Sequence, residues 1–359
     1  MLRGAACLAV GGLLLSGSLA GRNLPPDPNV PQEPPPEETF KGEIDVSLST
    51  LVIRVVDTWG KPILGLQPED FRVRVGKKEI PVVALDWISA EEPEAPPPIP
   101  ATASEFVQEV IEEPAPRPER LVVIFVQADL NPTRISGQLR LRPFTRELLS
   151  TLQPTDRVAV VSFDSHLKLW QDFVQDREAT HAAIDRAMFY SREPVIEGDG
   201  PLSLARHFDF DAARKAASPE RALELMALAL APLPGEKTVI YLGWGLGRFG
   251  ANGVSMTPDY KPAVKALSAA HAAVFVLDVT SADFHSLEVG LEDVADATGG
   301  VYLKTFRHPG LATKTLAKTI SGYYVLTLDR GALADQEGRL RIDLRRKQGT
   351  VLARPVALR

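Results

Sequence analysis

Residues 239–250 read VIYLGWGLGRFG. An apolar run, VIYL, ends in glycines, and Gly245, Gly247 and Gly250 fit the spacing G-x-G-x-x-G. A short unbroken apolar run bounded by turn residues reads as a strand buried on both faces, the kind found in parallel sheets. In such sheets ligands sit in crevices outside the carboxyl ends of the strands, where this glycine stretch would lie. A dinucleotide fingerprint asks for more. Its glycines must open a helix, so that the first backbone N–H groups meet a pyrophosphate. Here ANGVSMTP (residues 251–258) intervenes before the next helical pattern begins at Tyr260. The acid that ends the following apolar run, Asp278, is correspondingly remote, and the strand is not the first of its unit. The stretch therefore reads as a wide glycine loop on a sheet edge, with dinucleotide binding the less favoured alternative.

Working outward, strand and helix patterns alternate from Arg120 onward. Residues 121–126 (LVVIFV) form a continuous apolar run, followed by a helical pattern to Leu152. Strand patterns at 157–163 and 167–173, a helix at 177–190 and a helical region at 202–230 come next. After the strand at 238–242 follow a helix at 260–270, a strand at 273–278, a helix at 287–298 and a strand at 301–304. Such alternation implies a mainly parallel sheet with helices on both faces. Strand patterns return at 323–328, 339–345 and 350–357. Upstream, residues 39–89 read as a small β-sandwich-like module: in FRVRV (71–75), Phe71, Val73 and Val75 alternate with Arg72 and Arg74, the period of a half-buried strand.

Composition bounds the function. The chain has 359 residues, 45% hydrophobic and 24% charged, a balance typical of soluble globular proteins, and its length predicts two domains with tails. A net charge of −6 argues against nucleic acid as a partner. The start, MLRGAACLAVGGLLLSGSLAG, has the charged, apolar and small-residue segments of a secretory signal peptide at 1–20, too short for a permanent span. Cys7, the only cysteine, precedes the apolar run, so neither a lipid anchor nor a disulfide is expected. Two segments, 24–36 and 91–118, carry 15 of the chain's 30 prolines and read as a tether and an acidic linker. A brief helix is expected at 104–111 within the second.

No catalytic constellation stands out. The six histidines lack zinc-type spacing, and no G-x-S-x-G elbow occurs at a strand–helix turn. Arginines along 134–146 and 339–346 are read as solvated faces, with an anionic envelope polymer as the alternative. Trp244, a large aromatic in the glycine loop, is a candidate anchor for a partner.

Several segments together resemble bacterial proteins with a divergent von Willebrand factor A-type domain: VVIFVQADLNPTRIS, LQPTDRVAVVSFDSHLKLWQDFVQD, KTVIYLGWGLG, AAVFVLDVTS and DATGGVYLKTFRHPGLATKTLAKTISGYYVLTL. VIRVVDTWGKPILGLQPEDFRVRVGKKEIPV is similar to the β module that commonly precedes it. The resemblance implies a Rossmann-like, von Willebrand A-like sheet flanked by helices. It also implies a metal site at the carboxyl edge, where DxSxS, a Thr and a further Asp hold Mg²⁺ through oxygens and a partner's carboxylate completes the shell. The expected organisation is signal peptide 1–20, Pro-rich tether 21–38, β module 39–89, acidic linker 90–118, von Willebrand A-like domain 119–329 and C-terminal strands 330–359.

The sequence departs from the metal pattern in each loop. Asp129, Asn131 and Thr133 form DxNxT, and an equally good register puts Ala128 at the key Asp position. In GDGPL (198–202) Gly200 stands where the Thr belongs, beside Asp199. The third loop offers Gly243-Trp244 in place of an Asp. The expectation is an exported, non-catalytic binding protein with a degenerate metal site and no cofactor. Its partner surface combines Asp199, Trp244 and Arg248 on the loops 129–133, 198–201 and 243–250. The alternative is a Mg²⁺-dependent adhesin using Asp129, Asn131 and Thr133. The weaker alternative is an exported enzyme.

Overall fold

The apolar run LVVIFVQ becomes the central strand of a six-stranded sheet because every one of its residues is buried. The computed structural model describes residues 48–89, 120–189, 192–251, 253–334, 338–345 and 348–358. The signal-peptide, tether and linker segments, with the helix expected at 104–111, lie outside the described residues.

The β part opens with β1 (Leu48–Val56), β2 (Phe71–Val75), β3 (Lys78–Ile80) and β4 (Val82–Ser89). The α/β part follows: β5 (Leu121–Gln127), α1 (Pro132–Ser150), β6 (Arg157–Phe163), β7 (Leu167–Val174), α2 (Arg177–Met188), α3 (Phe210–Arg214), α4 (Pro219–Leu230) and β8 (Lys237–Gly243). It continues through β9 (Arg248–Gly250), β10 (Gly253–Ser255), α5 (Tyr260–Ala269), β11 (Ala272–Asp278), α6 (Glu288–Thr298), β12 (Tyr302–Lys304) and α7 (Pro309–Thr319). The chain ends with β13 (Gly322–Asp329), α8 (Arg330–Ala334), β14 (Gly338–Leu344), β15 (Thr350–Ala353) and β16 (Ala357–Leu358).

The large sheet runs β12-β11-β8-β5-β6-β7, parallel except for the edge strand β7. Along β5, Leu121, Val123 and Phe125 join one apolar layer, and Val122, Ile124 and Val126 the other. The first layer is closed by α4, α5 and α6 residues such as Met226, Leu267 and Leu291. The second is closed by α1, α2 and α7 through Leu141, Ile184 and Leu316. A strand buried on both faces needs no polar alternation, which is why the sequence shows none.

Several boundaries differ from the sequence reading. The region expected to be helical from 202 to 230 breaks into a 3₁₀ turn (Ala205–His207), α3 and α4. Asp209 and Ser218 each cap a new helix start by accepting from Ala212 N and Arg221 N, which interrupts the run. The segment after Gly247 is a small hairpin, β9–β10, rather than an open loop. Helix α7, absent from the sequence reading, starts at Pro309 and buries Ala312 and Leu316.

The β part is a sandwich of two antiparallel sheets, β15-β1-β13-β4 and β16-β14-β2-β3. Ile53, Val55, Tyr324 and Leu326 from one sheet meet Phe71, Val73, Val75 and Ile80 from the other in a single core. Strand β13, placed by the sequence with the α/β domain, lies between β1 and β4. Strands β14 and β15 pair with β2 and β1. The sandwich thus draws on both ends of the described chain. Arg54, 5% exposed, bridges it to the α/β part, its guanidinium 5.0 Å from the Phe275 ring of β11. Burial lowers its pKa to about 10.

Candidate functional site

The carboxyl ends of β5, β8 and β11 carry the residues of interest, and their geometry is set by side chains that clamp the loops. Gln127, the last residue of β5, is fully buried. Its Oε1 accepts from Trp244 N at 2.9 Å and Gly245 N at 3.2 Å, and its Nε2 donates to Gly245 O at 2.8 Å. Glu220, 1% exposed on α4, accepts from Gly247 N at 2.7 Å. Both clamps escaped the sequence reading, because an amide and a carboxylate inside apolar patterns give no periodic signal.

These contacts settle the glycine question. The amides of residues 244, 245 and 247, which a phosphate would need, are already bonded to side chains, one of them to a carboxylate that would repel an anion. The glycines serve packing. A Cβ on Gly243 would lie 2.0 Å from Tyr241 Cε1, one on Gly245 2.5 Å from Leu287 Cβ, and Gly247 adopts φ +88°. The loop is a packed feature, and these three amides are not free to hold a pyrophosphate.

The DxNxT residues are likewise committed. Asn131 is the N-cap of α1: its Oδ1 accepts from Thr133 N at 3.0 Å and Thr133 Oγ1 at 2.7 Å. Asp129 accepts from Asn131 N at 2.9 Å through Oδ1, and its Oδ2 accepts from Arg134 in a short ion pair. The guanidinium of Arg134 stacks on Trp244, 3.3 Å from the ring centroid. An aromatic ring thus stands at the third loop, and an arginine occupies the carboxylate of the first. A hard cation wants several free oxygens, and here both carboxylate oxygens of Asp129 and Oδ1 of Asn131 already accept hydrogen bonds, one of them from an arginine that a cation would have to displace. As folded, Asp129, Asn131 and Thr133 do not fit Mg²⁺.

The structure brings Asp129, Asn131, Thr133 and Trp244 together. Phe249, beside Arg248 on β9, shares a cleft of about 300 Å³ with Arg134 and Trp244. Asp199 is exposed and lines neither this cleft nor its neighbour. Its loop is tied instead to edge strand β7, where Asp172 accepts from Ser203 Oγ at 2.5 Å and Leu204 N at 2.7 Å. Ala217 and Pro219, at the start of α4, take the place beside Asp129 that the 198–202 loop was expected to fill.

A second cluster sits at the end of β11. Asp278, 2% exposed, pairs through Oδ2 with His285 Nε2 at 2.7 Å and accepts from Tyr302 Oη at 2.5 Å; Oδ1 accepts from Thr280 Oγ1 at 2.6 Å. Burial pushes its pKa up, but the hydrogen bonds from His285, Thr280 and Tyr302 together outweigh it and hold the carboxyl below its ordinary range. Glu288 completes a group whose ligand atoms lie within 4.8 Å of one another, the one set of this kind among the described residues. A metal is geometrically conceivable here. As folded, however, the group is knit by hydrogen bonds, with Lys304 Nζ 2.9 Å from Glu288.

No protein-family model matches the sequence, and no curated protein matches it. Among solved structures it is similar to a von Willebrand factor type A protein from Catenulispora acidiphila (TM-score 0.40, 12% identity, covering 67% of this chain and 66% of that one). It is similar to the conserved hypothetical protein BatB from Bacteroides thetaiotaomicron (TM-score 0.37, 16% identity, 57% and 98% covered). It is also similar to proximal thread matrix protein 1 from the mussel byssus (TM-score 0.40, 14% identity, 57% and 47% covered). The chain spans just under two thirds of the first of these and about half of the third. The α/β part is a mainly parallel six-stranded sheet with an antiparallel edge strand and helices on both faces, joined to antiparallel β-sheets.

Proposed function

We propose that the protein is an exported, non-catalytic binding protein that engages a protein partner in the cell envelope or outside the cell through the loop edge around Trp244. The observation that carries this reading is the edge itself. The backbone of Trp244 is bonded to Gln127 and its ring is stacked against the Arg134 guanidinium, and exposed Leu130 (69%) and Phe249 (72%) stand on the neighbouring loops. Rigid aromatic and arginine side chains beside exposed apolar ones are the usual anchors of protein interfaces. Export rests on the N-terminal segment read above. Among the described residues no helix is long and apolar enough to cross a membrane.

The test is in-cell crosslinking of the full chain, followed by recovery of its partner. Replacing Trp244 and Arg248 by Ala should reduce recovery about tenfold, the loss of a typical hot spot. The variant's circular dichroism should stay unchanged. Full recovery with the fold intact would remove this surface from consideration. A Mg²⁺-dependent adhesin would instead lose its partner on chelation, whereas recovery unchanged by chelator is the result expected here.

A further inference from the structure

One face of the sandwich carries charge that the Trp244 edge does not use. In the β16-β14-β2-β3 sheet, Phe71, Val73, Val75, Leu340 and Ile342 turn toward the core. Strand alternation therefore sends Arg72 and Arg74 of β2, and Arg341 and Asp343 of β14, to the opposite face. The register sets Arg341 directly opposite Arg74. Arg339, one step outside the Leu340–Val75 pair, stands beside the turn where Gly76 and exposed Lys77 carry β2 into β3. With Lys78 and Arg345 this makes seven cationic side chains, against the two acids Glu79 and Asp343. The chain as a whole stands at −6, so positive charge is segregated onto this face. We propose that the face docks on an anionic lipid surface.

Pairing within the face leaves the excess free. Arg74 reaches Asp343 at 2.7 Å, Arg72 lies 3.9 Å from Glu79, and Arg345 also pairs with Glu79. Arg339, Arg341, Lys77 and Lys78 meet no acid among the described residues. Like charges directly opposite each other on a sheet are destabilising, so setting Arg341 against Arg74 costs stability that a soluble surface of mixed charge would avoid. The arrangement favours a planar partner. Outward side chains repeat about 7 Å along a strand and about 5 Å from strand to strand, an array spread in two dimensions. Phe71, the only aromatic residue in β2, β3 and β14, is buried, so these strands offer no ring on which a sugar or base could stack. Clustered basic residues suit an anionic bilayer, where each one near the surface is worth roughly fivefold in binding.

The experiment is co-sedimentation with vesicles of the chain from Gly21, which keeps every described residue and omits the apolar start that would itself enter bilayers. Vesicles of phosphatidylcholine are compared with vesicles of equal parts phosphatidylcholine and phosphatidylglycerol, and with polyphosphate at equal phosphate concentration. The chain should bind the mixed vesicles at least about tenfold tighter than the neutral ones, and salt at about 1 M, where the Debye length is about 3 Å, should release it. Arg339→Gln with Arg341→Gln should weaken binding at least about tenfold and leave the melting midpoint unchanged or raised, since the like-charge pair is relieved. Asp343→Asn should tighten binding by freeing Arg74, a readout in the opposite direction that does not depend on the arginine variant folding. Trp244→Ala with Arg248→Ala should leave vesicle binding unchanged, which separates this face from the protein-binding edge. Equal binding to both vesicles, binding that survives the high salt, loss of vesicle binding in the Trp244 variant, or an affinity unmoved in both the arginine variant and Asp343→Asn would overturn the proposal. Tighter binding to polyphosphate than to the mixed vesicles would also overturn it, and would assign the face to a linear polyanion.

Discussion

At the scale of single residues, Asp278 shows how a sequence can name an acid without revealing its work. In the sequence it shows only as the acid that ends an apolar run, remote from the glycines. In the structure it is a buried hub for His285, Thr280 and Tyr302. Replacing it by Ala would leave three donors without their acceptor, and we expect a loss of about 3 kcal/mol or more in denaturant unfolding at pH 7. Its pKa is depressed in the folded state. Its stabilisation is therefore complete above the unfolded carboxyl's pKa, about 3.9, and is lost as pH falls below that through the lower folded value. Asp278→Asn should flatten this acid limb of the stability curve; an unchanged limb would assign the acid sensitivity to other carboxylates. Gln127 and Glu220 were illegible for a different reason. What makes them clamps is the position of the loop above them, and that exists only after β5, β8 and α4 have packed.

At the scale of elements, strands buried on both faces were the legible part. LVVIFV, RVAVVSF and AVFVLD announce themselves by unbroken apolar runs, and β5, β6 and β11 fall on them. Helix α7 was not legible. Its polar residues are threonines and lysines, and its apolar face is narrow, with Ala312 and Leu316 in the core and Ala317 packed beside them. Helix α1 sets two opposing effects against each other. Gly137 lies inside it, where Ala would add about 1 kcal/mol of helix propensity. But a Cβ there would fall 1.6 Å from Val279 O, so α1 must shift away from the end of β11. Overpacking of this kind costs about 1–3 kcal/mol, so packing should win. We expect Gly137→Ala to lower the urea midpoint; a raised midpoint would show that α1 can move freely, which would also undermine a rigid Arg134.

At the scale of the whole molecule, the fold class could be read from the alternation of elements, but the sandwich could not be read as one module. Its strands come from both ends of the described chain, and strand periodicity carries no information about which strands pair. Strand β14 gives Leu340 and Ile342 to the core shared with Val73 and Val75, and β15 continues the sheet beyond β1. A chain ending after Asp329 should therefore lose the sandwich's cooperative unfolding and expose β1 and β2, read as a broadened melt and increased dye binding. A sharp, unshifted melt would mean the N-terminal strands suffice. The candidate site was legible in part: Asp129, Asn131, Thr133 and Trp244 were named from sequence and do meet. The partner of Asp129 was not, because nothing in DLNPTR says that the arginine turns back onto the aspartate.

The central claim is that this edge works through fixed side chains and not through an ion at Asp129. The most direct measurement is thermal melting of the chain from Gly21 after chelation, then with Mg²⁺, Mn²⁺ or Ca²⁺, and with NAD as a control. A ligand at about 100-fold its dissociation constant stabilises a fold by roughly 2.7 kcal/mol, enough to move the midpoint by a few degrees at this size. We expect no shift with any of them that depends on Asp129. A metal-dependent rise that disappears in Asp129→Ala would contradict the claim and restore the adhesin.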